Sequence, residues 1–402
     1  MQFSHSPKPE ASRSTRDRHL ESLLRVLVGH PSARKKLARA TGISFTSITR
    51  LASLLLSLDV VAELPPISHV AAGRGRPEVP LTVTHDTGKV IIGVHLNLGR
   101  ISAGAFTLDG QQLADEAVEF TSNDAREALR LAELVAGRLV AGLAPGRVLG
   151  VGFSLPGAVD HDSGRVLRTS LFHPRDLDLC TPLSSALGLP VQIDSKVRSL
   201  IFRRLWWGPA PADSFAILHI GDTIAAAMAI DGQLYRGPGA TAGEISHVRV
   251  PQGPGLDCPC GRVDCAGVAL TSSAIIQEAK LRGALAPDAT SADLDSQDPS
   301  PQIRDLFRQR AEGLGELVGT LMEIVDPETI VVAGDVGLAE DIDTCRQAAR
   351  RRCAETLPAA PRPIEFWRVR DSDWTGAAAA LVLDDFVRRP TSYLPGLDAD
   401  IY

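Results

Sequence analysis

No apolar run in these 402 residues approaches the ~20 needed to cross a bilayer. The opening stretch, "MQFSHSPKPEASRSTRDRH", is polar and charged where a secretory signal would carry its apolar core, so a cytoplasmic location is expected. Cysteine is sparse, six in all. In a reducing compartment clustered thiols read as metal ligands before disulfides. Cys180, Cys345 and Cys353 are scattered and read as ordinary buried or half-buried thiols. With 44% hydrophobic residues the chain is a soluble globular type, too long for one ordinary core, and two or three domains are expected.

The charge is divided. Residues 1–80 hold 12 Lys and Arg against 6 Asp and Glu, leaving the remainder with 30 basic and 42 acidic residues. A basic head on an acidic body points to a polyanion partner confined to the head, or to an exposed solvated arm.

In the head, "RDRHLESLLRVLVG" sets Leu20, Leu23, Leu24 and Leu27 at helical spacing, so one face is buried. In "PSARKKLARATGISFTSITRLASLLLSLDVV", Ser32 is expected to cap a short helix ended by Thr41-Gly42, and Ser44 to cap a second. Ala38, Gly42 and Ile48 fall where a helix-turn-helix needs a small residue, a turn and an inward aliphatic. Phe45, Thr46, Ser47, Thr49 and Arg50 then face outward, the positions that meet base edges and phosphates in a major groove. Arg34, Lys35, Lys36 and Arg39 would neutralise phosphates without reading sequence. Two short strands, "VVAEL" and "VPLTV", flank "GRGRP", whose Arg74 and Arg76 suit a narrow minor groove. The reading is a winged helix-turn-helix that binds double-stranded DNA. The alternative is a three-helix packing module between subunits.

From residue 89 the pattern is mixed α/β. Strands are expected at "KVIIGVHLN", "ISAGAFTLDG", "RVLGVGFSLPG", "SFAILHIG", "AAAMAIDGQLYRG" and "ETIVVAG". Helices are expected at "DAREALRLAELVAGRLVAGL", around 302–326, and at 375–387, where small residues permit close packing. Residues 283–300 read as a surface loop.

"CPCGRVDC", Cys258 to Cys265, places three thiols within eight residues, eleven residues after His247 of "GEISH". Together with "GQLYRGPGATAGEISHVRV" and "IVVAG", set behind a helix-turn-helix, it resembles the ROK family of sugar-responsive repressors and sugar kinases, from about Arg16 to Arg389. The resemblance implies an N-terminal winged helix-turn-helix (1–85) on an actin-like, ribonuclease-H-like, ATPase-type body of two α/β lobes (86–200 and 201–366). A C-terminal helix and tail (367–402) would return to the first lobe. It also implies a zinc ion on His247, Cys258, Cys260 and Cys265. One His and three Cys complete a tetrahedron with no vacancy for water, so such a zinc is structural. Asp264 stands where the family usually has a glycine.

Family kinases carry Asp-x-Gly-Gly-Thr after the first strand. Here the stretch is "HLNLG", His95 to Gly99, without the acid or the paired glycines. The second phosphate loop reads "GDTIA", Gly221 to Ala225, and a later Gly-Gly is Ala333-Gly334. Phosphates need close backbone N–H groups, which Asp222 and an added methyl oppose. ATP-dependent phosphorylation is therefore not expected.

By resemblance, Asp194, Glu244 and His247 match sugar ligands, and Asp194 the kinase base. Ile193 stands in place of a sugar-binding Asn, Gly267 in place of a Glu, and Leu171 in place of another Asn. Missing hydroxyl partners alter what such a site accepts. Three functions stand: a regulator of carbohydrate genes, most naturally a repressor working as a homodimer or homotetramer with a sugar or sugar-derivative effector; a DNA-binding regulator under a protein partner; or a sugar kinase.

Overall fold

The computed structural model describes residues 14–66, 78–84, 86–172, 176–209, 212–250, 255–290, 293, 299–334, 339–354 and 362–394. Helix α1 (Thr15–Gly29) starts at Ser14, whose hydroxyl accepts the Asp17 N–H, and buries Leu20, Leu23, Leu24 and Leu27 as the periodicity requires. Ser32 is no cap. Ser32–Ala33 is a short strand, β1, and α2 (Arg34–Thr41) begins with no side-chain cap. Gly42 ends α2 in the left-handed region (φ 70°), which glycine adopts without strain. Ser44 caps α3 (Phe45–Ser57) by accepting the Ser47 N–H at 3.1 Å, and Ile48, Ala52 and Leu55 turn inward. Strands β2 (Ala62–Glu63) and β3 (Pro80–Thr82) complete a three-stranded sheet in the order β1-β3-β2. Arg74 and Arg76 lie outside the described residues.

The first large sheet comprises β4 (Val90–Asn97), β5 (Gly99–Thr107), β6 (Gln112–Phe120), β7 (Val148–Leu155) and a later strand, Val191–Ser195. Helix α4 (Ala125–Ala141) packs on it, capped by Asp124. Three short strands, β8 (Ala158–Asp160), β9 (Arg165–Arg168) and β10 (Leu177–Asp178), form a side sheet. Then follow α5 (Cys180–Leu187), the strand just named, β11 (Val191–Ser195), and α6 (Lys196–Trp207). The second large sheet holds β12 (Phe215–Ile220), β13 (Ile224–Ile230), β14 (Gln233–Leu234), β15 (Thr329–Gly334) and β16 (Ile364–Trp367).

Both large sheets have the same plan. The orders β11-β7-β4-β5-β6 and β16-β15-β12-β13-β14 match strand for strand, each with an antiparallel meander and two parallel additions. This repeat is what an actin-like body of two ribonuclease-H-like lobes requires. The second lobe adds α7 (Ala266–Ala269), α8 (Ser272–Leu281), α9 (Pro301–Val325) and α10 (Ala339–Cys353).

Helix α11 (Asp371–Arg388) returns to the first sheet. A methyl on Gly93 or Gly152 would stand 1.8 Å from the carbonyl oxygens of Thr375 or Ala378, so these strand glycines let the helix backbone lie on the sheet. Helix α6 lies against α11 and also against β12 and β13, so it crosses the expected boundary at residue 200. The core of the head is continuous with that of the body. Leu20, Leu24, Leu55 and Leu81 share one continuous core with Phe106, Val382 and Phe386.

Candidate ligand cavity, metal centre and nucleic-acid interface

Loops from both lobes enclose a cavity of about 400 Å³. Its wall includes Pro156, Arg168, Thr169 and Ser170 from the first lobe, and Asp222, Thr223, Glu244, Ser246 and Thr271 from the second. Ser195, Lys196 and Arg198, at the start of α6, complete it.

Of the expected sugar ligands, Glu244 is on this wall, and Asp194 and His247 are not. Asp194 is fully buried behind it. Arg236 donates to Oδ2 at 3.0 Å, and the backbone N–H of Ser195 to Oδ1 at 2.7 Å. Arg198 Nε approaches Oδ1 to 2.6 Å as an ion contact whose N–H is not aligned for a hydrogen bond. His161 Nδ1 lies 3.8 Å from Oδ2. Burial pushes the Asp194 carboxyl up, but Arg198, Arg236 and His161 outweigh it and hold it below the ordinary carboxylate value. A carboxylate so saturated is a poor base, since it gains little from a further proton. Glu244 accepts from Arg168 at 3.1 Å, which ties the second-lobe loop to β9 of the first lobe.

Of the stretches expected to approach phosphates, the first brings His95 onto an indole, Trp374, which also meets His219, two residues before the second. The His95 ring stacks on Trp374, centroids 5.0 Å apart at 12°, and His219 meets the same ring edge-on at 5.3 Å. Lys196 Nζ lies 5.4 Å from the Trp374 centroid. His95 Nδ1 is 2.9 Å from Ser154 Oγ. Burial first, and the Lys196 ammonium second, lower the His95 pKa to about 3, and the same two causes hold His219 well below its ordinary value. Both imidazoles are therefore neutral. The turn Gly221–Thr223 closes the β12–β13 hairpin. Gly334 (φ 117°) ends β15 so close to it that a Cβ would stand 2.0 Å from the Ile220 carbonyl oxygen.

His247, Cys258, Cys260 and Cys265 do come together, with donor atoms all within 4.8 Å of one another. Cys258 Sγ is 3.5 Å from His247 Nδ1, and Cys260 Sγ is 3.6 Å from Cys265 Sγ. Zn–S and Zn–N bonds of about 2.3 and 2.0 Å put tetrahedral donors roughly 3.5–3.8 Å apart, whereas a disulfide needs about 2.05 Å. The four side chains thus suit a metal better than a disulfide. Backbone and side-chain hydrogen bonds from Arg262 lower Cys260 to about 6, which favours the thiolate, whereas burial raises Cys265 to about 11.

Asp264, the departure from the family's glycine, shapes this centre without being one of its four donors. It holds the left-handed backbone (φ 55°) that explains a glycine there in relatives, and asparagine and aspartate tolerate it best after glycine. Its carboxylate accepts the N–H groups of Gly255 and Leu256 at 2.7 and 3.0 Å, organising the turn before the thiols. The loop is bonded to the cavity wall, since Gly267 N–H donates to the Ser246 carbonyl at 2.8 Å.

On the head, Phe45, Thr46 and Arg50 are exposed on the outer face of α3, while Ser47 and Thr49 are half-buried. Local bonds occupy the last two: Ser44 donates to Ser47 Oγ at 2.9 Å, and Thr49 to the Phe45 carbonyl at 2.8 Å. Lys35, Lys36 and Arg39 are exposed, but Arg34 pairs with Glu63 at 2.7 Å and belongs to the head's own packing.

A transcriptional regulator of Mycobacterium tuberculosis is 28% identical over 318 residues, 76% of this chain and 71% of that protein. The xylose repressor of Caldicellulosiruptor bescii is 24% identical over 317 residues, 75% of this chain and 78% of that one. Among solved structures, a ROK family transcriptional regulator described as a homologue of the E. coli MLC protein superposes with TM-score 0.73 at 22% identity, covering 92% of this chain and 97% of that one. A ROK glucokinase from Streptomyces griseus, bound to glucose and AMPPNP, gives TM-score 0.62 at 22% identity over 73% of this chain and 98% of that one. The ROK family model matches residues 91–385, and the chain belongs to the ROK family.

Proposed function

We propose that this protein is a DNA-binding transcriptional regulator, a repressor of carbohydrate uptake or metabolism genes, whose body senses an effector and transfers no phosphate. The observation that carries the reading is the pairing of two features in one chain. A helix-turn-helix exposes Phe45, Thr46 and Arg50, and in the body the first expected phosphate stretch begins with His95 stacked on Trp374, while the second carries Asp222 on the cavity wall. The names of relatives, a transcriptional regulator and a xylose repressor, support the same reading.

The mechanism follows α6. Its first residues line the cavity, and its last turn, about 18 Å away at 1.5 Å per residue, reaches the head. There Arg25 of α1 lies over the Trp206 ring. Trp206 also donates to Asp384 of α11, and Thr391 beyond α11 donates to Asp17 of α1. An effector that prefers one lobe arrangement shifts α6 and with it the head. In a symmetric dimer that changes the fit of two heads to two half-sites. Zinc on His247, Cys258, Cys260 and Cys265 would be structural, bracing the loop that carries Glu244 and Ser246.

The test is genome-wide mapping of bound sites, followed by titration of the purified protein against a bound duplex and a coupled phosphotransfer assay over hexoses and pentoses. Specific binding without ATP turnover supports the reading. Phosphorylated sugar, or indifference to every duplex at low ionic strength, overturns it. The enclosed Asp194 also favours a regulator answering to a protein partner, which bound sites unaffected by any sugar would indicate.

A further inference from the structure

Of the three thiols in the metal centre, Cys260 is the one that faces solvent. It is exposed, whereas Cys258 and Cys265 are 7% and 0% exposed. The local fold sets this difference. An Asp257–Val263 bridge closes a small hairpin. Its tip is turned by the Gly261 N–H donating to the Cys258 carbonyl at 2.9 Å and the Cys258 N–H donating to the Arg262 carbonyl at 2.8 Å. Cys260 rides on that tip among exposed Pro259, Gly261 and Arg262. Cys265 lies beyond the hairpin's base, bridged to Arg249 and followed by the core residue Ala266. The sulfurs of Cys260 and Cys265 are 3.6 Å apart. A disulfide needs about 2.05 Å, so a movement of roughly 1.5 Å in a solvent-exposed tip joins them.

We infer that Cys260 and Cys265 form an oxidation site, which a peroxide closes into a disulfide with release of the zinc. The inference rests on the zinc reading above and adds its regulation. The Cys260 thiolate attacks one oxygen of hydrogen peroxide and breaks the O–O bond, leaving a sulfenic acid and a hydroxide. The Cys265 thiolate then attacks the Cys260 sulfur and displaces a second hydroxide as the S–S bond forms. The two sulfurs together lose two electrons, the peroxide gains two, and both hydroxides take protons from solvent to become water. Cys258 and His247 are left as two of the four donors, too few to close a tetrahedron around the metal. The stretch that places Glu244 and Ser246 on the cavity wall then loses its anchor at His247 and keeps backbone ties such as Gly267 N–H to the Ser246 carbonyl. Oxidation thereby loosens one wall of the cavity, and a dithiol reverses it.

The experiment treats the full-length, zinc-loaded protein with hydrogen peroxide, following zinc with a chromogenic chelator and disulfides by tryptic mass mapping. Cleavage after Arg249, Arg262 and Lys280 separates residues 250–262, which carry Cys258 and Cys260, from 263–280, which carry Cys265. The expected product is a cross-linked pair of these peptides, about 2 Da lighter than their sum, with fragment ions placing the bond on Cys260. Zinc should leave in step, about one ion for every two thiols lost, and dithiothreitol with added zinc should restore it. Buried Cys345 and Cys353 should stay reduced through that phase. A bond confined to residues 250–262, a Cys258–Cys265 bond, oxidised Cys260 with zinc retained, or thiols that resist peroxide doses sufficient for free cysteine would each overturn the inference and leave the zinc site in place. Protein that takes up no zinc overturns the zinc reading itself, and the release with it.

Discussion

The guanidinium carbon of Arg25 sits 5.0 Å from the centroid of the Trp206 ring, joining the first helix of the head to the last turn of α6. Arg25 also pairs with Glu21 one turn earlier at 2.9 Å, which holds the guanidinium in place. Cation–π contacts at exposed sites contribute about 0.5–1 kcal/mol. Arg25→Ala should lower stability by about that amount in urea unfolding. It should leave DNA affinity without effector nearly unchanged, yet shrink the change in affinity that an effector produces. An undiminished response would mean that the head is coupled through α11 instead.

Asp194 is expected to behave as a structural residue. It balances Arg198 and Arg236, and its removal leaves two guanidinium groups facing each other inside the protein. Breaking one side of a buried pair costs about 3–5 kcal/mol. Asp194→Asn should therefore destabilise strongly in denaturant titration, while Arg236→Gln, which leaves Arg198 in place, should cost less. A stable Asp194→Asn protein would return this carboxylate to the ligand site.

The metal centre predicts one zinc per chain by elemental analysis. Cys260→Ser or prolonged chelation should lower the thermal midpoint and weaken effector binding, because the loop carrying Ser246 is bonded to Gly267 just beyond Cys265. Full metal content in the Cys260→Ser protein would exclude that thiol as a ligand.

Local chemistry was legible in the residues. Ser44, Gly42 and the leucines of α1 were read correctly because cap, turn and period are short-range signals. The Cys258–Cys265 cluster was legible for the same reason. Ser32 was misread, since its pairing with Leu81 lies 49 residues away and wins over a local cap. Strand β6 went unremarked, its exposed face carrying Glu and Asp. The charge balance of Asp194 depends on Arg236 from another lobe, and the stacking of His95 depends on Trp374 near the far end of the chain. Nothing in the spacing announces either. Nor did the charge division reveal that head and body share one core, because the joining residues are plain leucine, valine and phenylalanine.

His95 and His219 make stability depend on pH. Each is held neutral in the folded protein, His95 down to about 3, whereas an unfolded histidine takes a proton near 6.5. The unfolded chain therefore binds more protons between those values, and stability falls as pH drops below about 6.5, with a slope approaching 1.4 kcal/mol per unit for each histidine. Above that window their contribution is fully present. The Asp194 contribution is lost only as pH falls through its lowered value, and substitution of a histidine separates the imidazoles from other groups that titrate in this range. His95→Asn should reduce the slope by about one proton's worth in urea titrations across that range. An unchanged slope would place the pH dependence elsewhere.

The DNA contacts proposed for the head can be separated by their salt dependence. Each phosphate neutralised releases counterions, and the slope of log affinity against log salt falls by about 0.9 when one such contact is lost. Arg50, exposed on α3, and Arg74 and Arg76, named from the sequence alone, should each lower the slope by about that amount when changed to alanine. Thr46→Val should leave the slope alone and relax preference at one base position, because a hydroxyl reads an edge without carrying charge. Arg34→Ala should act differently again, through the loss of its pair with Glu63, lowering the stability of the head more than the slope. Fluorescence anisotropy on one mapped site across about 50–300 mM salt distinguishes these cases, and slopes unchanged from wild type in every arginine variant would remove the head from the DNA interface.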